Sequence, residues 1–365
     1  MQQVRFPSLD RFLAVFQLRA CGDRQWVPIS RRMSEVTSAI EVCIAGTGSY
    51  VPERILTNAE LAILVDTSDE WITSRTGIKE RRIAAEGEFT SHMATHAARR
   101  ALEQAGMAAE DVELIIIATI TPDTPTPATA CYVQQALGAK NAVAFDISAA
   151  CSGFLYAMKI SKRLISDGAF KNALIIGAEK LSSVTNWDDR TTCVLFGDGA
   201  GAAVLRRAEP GEGSILATEM GTDGSLTHLL NIPGGGTACP ITEENANDHL
   251  HTLTMMGKEV FKHAVNRMKE AAEKVISRAG LQPEDIACVI PHQANLRIID
   301  AIADRLAVPN ERVFVNLDKY GNTSAAAVAI ALDEANRSGA FKRGEHIVMV
   351  VFGAGLTWAA AAIRW

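Results

Sequence analysis

Cys151, in Ala149-Ala-Cys-Ser-Gly-Phe154, stands where an apolar stretch gives way to a helix. A thiol at a helix N-terminus meets unpaired backbone N–H groups and the positive end of the helix dipole, and both favour thiolate. An effect of up to ~2 kcal/mol would bring a free pKa near ~8.5 down to roughly 7, leaving about half the thiol as nucleophile at neutral pH. His292, in Pro291-His-Gln-Ala-Asn295, directly follows the apolar run Ala287 to Ile290, at a strand end where α/β sheets commonly carry functional groups. Asn322 precedes Thr-Ser and an apolar helix, and can donate an amide hydrogen bond or cap that helix. Phe352-Gly-Ala-Gly-Leu356 follows the last apolar run, and its small residues let backbone N–H groups approach a reacting centre. A sulfur nucleophile, an imidazole, an amide and an oxyanion-binding loop are the parts of an acyl-transfer site. Singly, each has a plainer role: packed cysteine, structural histidine, helix cap, strand-to-strand turn.

The elements that must position these residues follow from hydrophobic patterning. From about residue 40, short apolar runs alternate with helical segments, and Val112 to Ile120, Ala173 to Gly177 and His346 to Phe352 are continuously apolar. Such runs suit strands covered on both faces, so the class is α/β. Ala105-Gly-Met107 with Glu110-Asp111 recurs as Ala279-Gly-Leu281 with Glu284-Asp285, 174 positions later, and Gly168-Ala-Phe-Lys171 recurs as Gly339-Ala-Phe-Lys342 at an offset of 171. Matches in the same order at nearly one offset indicate duplication, with halves at 39–210 and 211–365. The offset sets Cys151 on Asn322. Each opens a helix that is apolar on every side at first and polar only in its last turns, so both helix starts should be buried near a shared pseudo-dyad.

Composition narrows the class. The 42 acidic and 36 basic residues give a net charge of -6 without any long block of one sign, which argues against a nucleic-acid surface. No apolar stretch approaches the roughly 20 residues of a membrane helix. Seven scattered cysteines without a C-x-x-C pair argue for a reducing cytosol and against disulfides or zinc. Gly46-Thr-Gly48 and Gly197-Asp-Gly-Ala-Gly201 do not match dinucleotide or P-loop motifs. Residues 1–38 read as a loose extension, with Met33 a second possible start.

Beyond these physical readings, the chain from about residue 41 resembles the 3-oxoacyl-(acyl-carrier-protein) synthase III family. The resemblance rests on Thr67-Ser-Asp-Glu-Trp-Ile-Thr-Ser-Arg-Thr-Gly-Ile78, Ala149 to Phe154, Phe196 to Gly201, Pro291 to Arg297 and Gly321-Asn-Thr-Ser324. It implies a thiolase-like fold of two duplicated halves in a layered α-β-α-β-α core, a homodimer, and no cofactor. It also implies a reaction: Cys151 takes an acyl group from acyl-CoA, and His292 with Asn322 activates malonyl carrier protein. Backbone N–H groups of Cys151 and Ala354 hold the oxyanion. By the same resemblance Trp71, Arg75, Arg190 and Asn295 contact CoA, with Trp71 and Arg190 flanking its adenine. Thr126 and Phe196 belong to the acyl pocket, and Lys258, Lys262, Gln293 and Arg297 to the carrier-protein surface. Two departures stand out. Ala354 replaces the middle glycine of a frequent Gly-Gly-Gly run, tolerable for a backbone donor with negative φ. Thr126 replaces a Phe that closes the acyl pocket from the partner subunit, so primers longer than acetyl are expected.

Overall fold

Apolar runs of this chain become strands of two stacked sheets, and the computed structural model describes residues 40–365. The expectation for residues 1–38 therefore lies outside the described residues. Within them the chain runs β1 (Val42–Tyr50), β2 (Arg54–Thr57), α1 (Asn58–Leu64), α2 (Asp69–Thr76), β3 (Glu80–Ile83), α3 (Thr90–Ala105), β4 (Leu114–Ala118), α4 (Thr129–Leu137), β5 (Val143–Ile147), α5 (Gly153–Ser166), β6 (Asn172–Lys180) and β7 (Asp198–Arg207). It continues through β8 (Ser214–Thr222), the short β9 (Leu230–Asn231) and β10 (Thr254–Met255), α6 (Gly257–Arg278), β11 (Ile286–Pro291), α7 (Leu296–Leu306), α8 (Leu317–Tyr320), α9 (Ala325–Ser338), β12 (His346–Gly353) and β13 (Thr357–Arg364).

One sheet has the order β1-β7-β6-β4-β5 and the other β8-β13-β12-β11. Strand directions correspond along both: two antiparallel pairings come first, β1 with β7 with β6 and β8 with β13 with β12. Parallel pairings follow, β6 with β4 and β12 with β11. Where β5 extends the first sheet, a single parallel bridge from Val289 to Val313 extends the second.

Helices α5 and α9 pack against strands of both sheets and against each other, forming a middle layer. Their side chains share one apolar core with both sheets: Phe154, Leu155 and Met158 from α5, Val328, Leu332 and Ala335 from α9. Helices α3 and α4 cover the outer face of the first sheet, and α6 and α7 that of the second. The alanine-rich face of α9 permits a close fit, and Gly177 of β6 completes it. A β-carbon at Gly177 would lie 2.2 Å from the Ala325 carbonyl oxygen, so the first turn of α9 rests directly on the strand backbone.

Candidate active site

The starts of α5 and α9 meet between the sheets, as the duplicated pattern anticipates. Cys151 rides in a single 3-10 turn, Ala150–Ser152, which leads into α5 and is entered through Ala150 at φ 46°. Thr357 Oγ1 ties that turn to the loop after β12, lying 3.0 Å from the carbonyl oxygens of Ala149 and Ala354 and 3.1 Å from Ser152 Oγ. Among the described residues, neither the Cys151 nor the Ala354 backbone N–H has an acceptor. Both residues line a largely apolar cavity of about 280 Å³. Ala354 is not among the residues with positive φ, which meets the condition for its replacing glycine.

His292 and Asn322 line the same cavity. His292 is fixed at the end of β11 by its backbone N–H, which donates to the Val350 carbonyl at 2.8 Å. Among the described residues its Nδ1 is buried without a partner, which leaves Nε2 as the nitrogen turned to the cavity. Burial pushes the imidazole down to about 4, so it is neutral at physiological pH. Asn322 stands two residues ahead of the cap of α9, Ser324, and so does not itself cap the helix. A parallel bridge to Phe196 holds it: its N–H donates to Leu195 at 2.8 Å, and its carbonyl accepts from Gly197 at 3.1 Å. Its Oδ1 accepts the Ser324 N–H at 2.8 Å, which leaves the amide N–H groups free to donate into the cavity.

The thiol departs from the sequence-based expectation. Burial pushes Cys151 up to about 12, and the nearby Glu179 carboxylate adds to that rise, while the side chains of Ser324 and Asn322 oppose it. A helix terminus contributes up to ~2 kcal/mol toward the thiolate, which opposes this rise without cancelling it. Burial thus favours the thiol over the thiolate.

At the cavity mouth lie Trp71, Arg75 and Asn295, with Phe196 deeper in the wall. The Arg75 guanidinium sits 4.4 Å from the Trp71 ring centroid, and Asn295 Nδ2 donates to the Arg75 carbonyl at 3.1 Å. Asn295 also caps α7, its Oδ1 accepting from Arg297 N–H at 2.9 Å. Arg190 does not line the cavity. Its guanidinium is 5.4 Å from the Trp71 centroid and pairs with Asp66 at 3.1 Å, closing the space a sandwiched ring would need. Thr126 is exposed and away from this chain's own cavity. Lys258, Lys262 and Arg297 are exposed near the mouth, Lys262 already paired with Glu259 at 3.0 Å and Arg297 donating to the Ser74 carbonyl at 3.1 Å. The assignment of Gln293 to the carrier-protein surface is corrected. Its side chain is 1% exposed, donates to the carbonyls of Pro291 and Phe314, and accepts from Asn316 N–H, so it braces the loop after β11.

Sequence reasoning missed Glu179, a fully buried carboxylate at the end of β6. Its one signal is an acidic residue two positions past Gly177 and so on the same face of a continuously apolar strand. Oε2 accepts from Thr119 Oγ1 (3.1 Å), Ile120 N–H (3.0 Å) and Thr121 Oγ1 (2.6 Å), and Oε1 from Ser324 Oγ (3.0 Å). Burial pushes it up to about 7.

Known proteins resemble this chain in sequence and fold. The family model described as 3-oxoacyl-[acyl-carrier-protein] synthase III matches residues 145–224, and its C-terminal counterpart residues 276–365. A beta-ketoacyl-[acyl-carrier-protein] synthase III of Caldanaerobacter subterraneus subsp. tengcongensis is 57% identical over 88% of this chain and 97% of its own. That of Clostridioides difficile strain 630 is 52% identical over 88% and 98%. The crystal structure of 3-oxoacyl-[acyl-carrier-protein] synthase III from Aquifex aeolicus superposes with a TM-score of 0.83 at 52% identity, covering 89% of this chain and all of that one. With its thiolase-like fold and its cysteine, histidine and asparagine on one cavity, the chain belongs to the beta-ketoacyl-[acyl-carrier-protein] synthase III family.

Proposed function

We propose that this chain condenses an acyl-CoA primer with malonyl-(acyl-carrier-protein), giving 3-oxoacyl-(acyl-carrier-protein), CoA and carbon dioxide, the first condensation of fatty-acid synthesis. The observation that carries this reading is that Cys151, a neutral His292 and the free N–H groups of the Asn322 amide face one cavity.

In the first half-reaction the Cys151 sulfur attacks the acyl-CoA thioester carbon, and the N–H groups of Cys151 and Ala354 hold the oxyanion. The thiol proton ends on the departing CoA sulfur, so no net charge stays in the apolar cavity. In the second half-reaction His292 Nε2–H and Asn322 Nδ2–H donate to the malonyl thioester carbonyl. Those bonds stabilise the enolate left when carbon dioxide departs. The enolate carbon attacks the acyl-Cys151 carbonyl, the C–S bond breaks, and the sulfur regains a proton. One proton is consumed per turnover, and the reaction as written needs nothing beyond its two thioesters.

Trp71, Arg75 and Asn295 at the mouth suit CoA, with Arg190 swinging off Trp71 to admit the adenine. Exposed Lys258, Lys262 and Arg297 suit an acidic carrier protein. A homodimer is supported by β5, an edge strand with Val143 52% exposed and its remaining residues only partly buried. A second copy along that edge brings Thr126 to its neighbour's acyl pocket, and a cytosolic setting supplies both substrates.

Intact-protein mass spectrometry after mixing with a panel of acyl-CoAs tests the first step, and addition of malonyl carrier protein tests the second. The expected results are an acyl mass on Cys151 and 3-oxoacyl carrier protein as the main product. Absence of the acyl mass overturns the reading, and a different main product would favour a related ketide synthase.

A further inference from the structure

Asn322 can donate to a substrate carbonyl only while its amide keeps one orientation, and that orientation rests on Ser324. The Ser324 N–H occupies Asn322 Oδ1 at 2.8 Å, and among the described residues the other end of the amide meets only the Cys151 sulfur, on the cavity side. Turning the amide over would set Nδ2 against the Ser324 N–H, donor against donor, and present Oδ1 to the substrate oxygen. The Ser324 N–H points this way because the residue adopts φ 50° and ψ -122°, a conformation an L-residue with a β-carbon keeps only when its surroundings impose it. The side chain that holds it is Glu179. Its Oε1 accepts the Ser324 hydroxyl, while three donors from residues 119–121 hold Oε2.

We propose that Glu179 is a positioning residue for the decarboxylating half-reaction, acting through Ser324 to keep the Asn322 amide N–H groups directed at the malonyl thioester carbonyl. The inference rests on the function proposed above. It separates the two half-reactions, because acylation of Cys151 uses the Cys151 and Ala354 backbone N–H groups, which belong to other elements.

The test measures Cys151 acylation from acyl-CoA and carbon dioxide release from malonyl carrier protein separately, in full-length enzyme. E179A is expected to keep acylation within about threefold of wild type while carbon dioxide release falls at least about tenfold. E179Q is expected to restore release to within about threefold, because the glutamine oxygen can take the three donors while its N–H bonds to Ser324 Oγ. Equal loss in both half-reactions, or no loss in either, overturns the proposal. Should E179A fail to fold, S324A takes its place: it must slow release selectively, and equal loss in both half-reactions or no loss in either overturns the proposal. Wild-type enzyme that releases no carbon dioxide would instead overturn the proposed function.

Discussion

Gly353 at the end of β12 lies against the backbone of Cys151 so closely that a β-carbon there would stand 2.7 Å from the Cys151 amide nitrogen and 3.2 Å from its Cβ. The second sheet thus sets the height at which the nucleophile of the first half is presented. The proposed oxyanion donors, the Cys151 and Ala354 N–H groups, are held in register by the same contact.

G353A should therefore push the Cys151 turn away from the loop and misalign both donors. We expect acylation to fall by about a hundredfold or more, the usual effect of losing an oxyanion donor, with a stability loss of about 1–3 kcal/mol from overpacking. A354G, which alters no donor, should keep acylation within about threefold. Rapid-quench mass spectrometry and urea unfolding read the two effects, and an active G353A enzyme would refute the geometry.

Trp71 is stacked by Arg75 at 4.4 Å and Arg190 at 5.4 Å before any ligand arrives. W71A should raise KM for acyl-CoA by about tenfold, in line with the worth of one base–aromatic stack, and leave kcat nearly unchanged. R190A should cost less, because the Arg190–Asp66 pair must first be broken. Initial rates across acyl-CoA concentrations decide this, and a purely kcat effect would contradict it.

His292 and Glu179 shift in opposite directions, and their linkage to stability has opposite signs. His292 is held down at about 4 against an ordinary 6.5, so between those values only the unfolded chain carries that proton, and stability rises with pH. Glu179 is held up at about 7 against 4.5, so between those values only the folded chain carries the proton, and stability falls as pH rises. Each is an effect of about 3 kcal/mol, and they nearly cancel from pH 4.5 to 6.5. Relative to wild type, E179Q should gain stability more steeply with pH in that window and H292A less steeply. Urea unfolding at three pH values tests both, and parallel curves for all three proteins would be the contrary result.

Thr126 precedes a turn before α4 and is exposed in the single chain. With threonine rather than phenylalanine offered to a partner's acyl pocket, turnover with octanoyl-CoA should at least match that with acetyl-CoA. T126F should restore acetyl preference by about tenfold or more, as expected for filling a hydrophobic pocket. Strict acetyl preference in wild type would reject the assignment.

The reach of the sequence can be followed residue by residue. Cys151 and Asn322 were legible as partners because a repeat offset and two apolar helix starts are patterns along the chain. Strands β4, β6, β11 and β12 were legible as continuous apolar runs, within a few residues of their ends. Gln293 was not, because adjacent loop residues turn opposite ways, and only coordinates show it facing Pro291 and Phe314. The effect of burial on the Cys151 thiol is not legible for a related reason: a helix start is visible in sequence, whereas the depth of burial is not. Glu179 was overlooked because its partners come from residues 119–121 and 324, far apart in the chain.

The withdrawal of Cys151 from water has a consequence for the enzyme between turnovers. Peroxides and other electrophiles react with sulfur as its anion, and burial favours the protonated sulfur. The same burial that disfavours the anion therefore also limits the form in which adventitious reagents attack the sulfur.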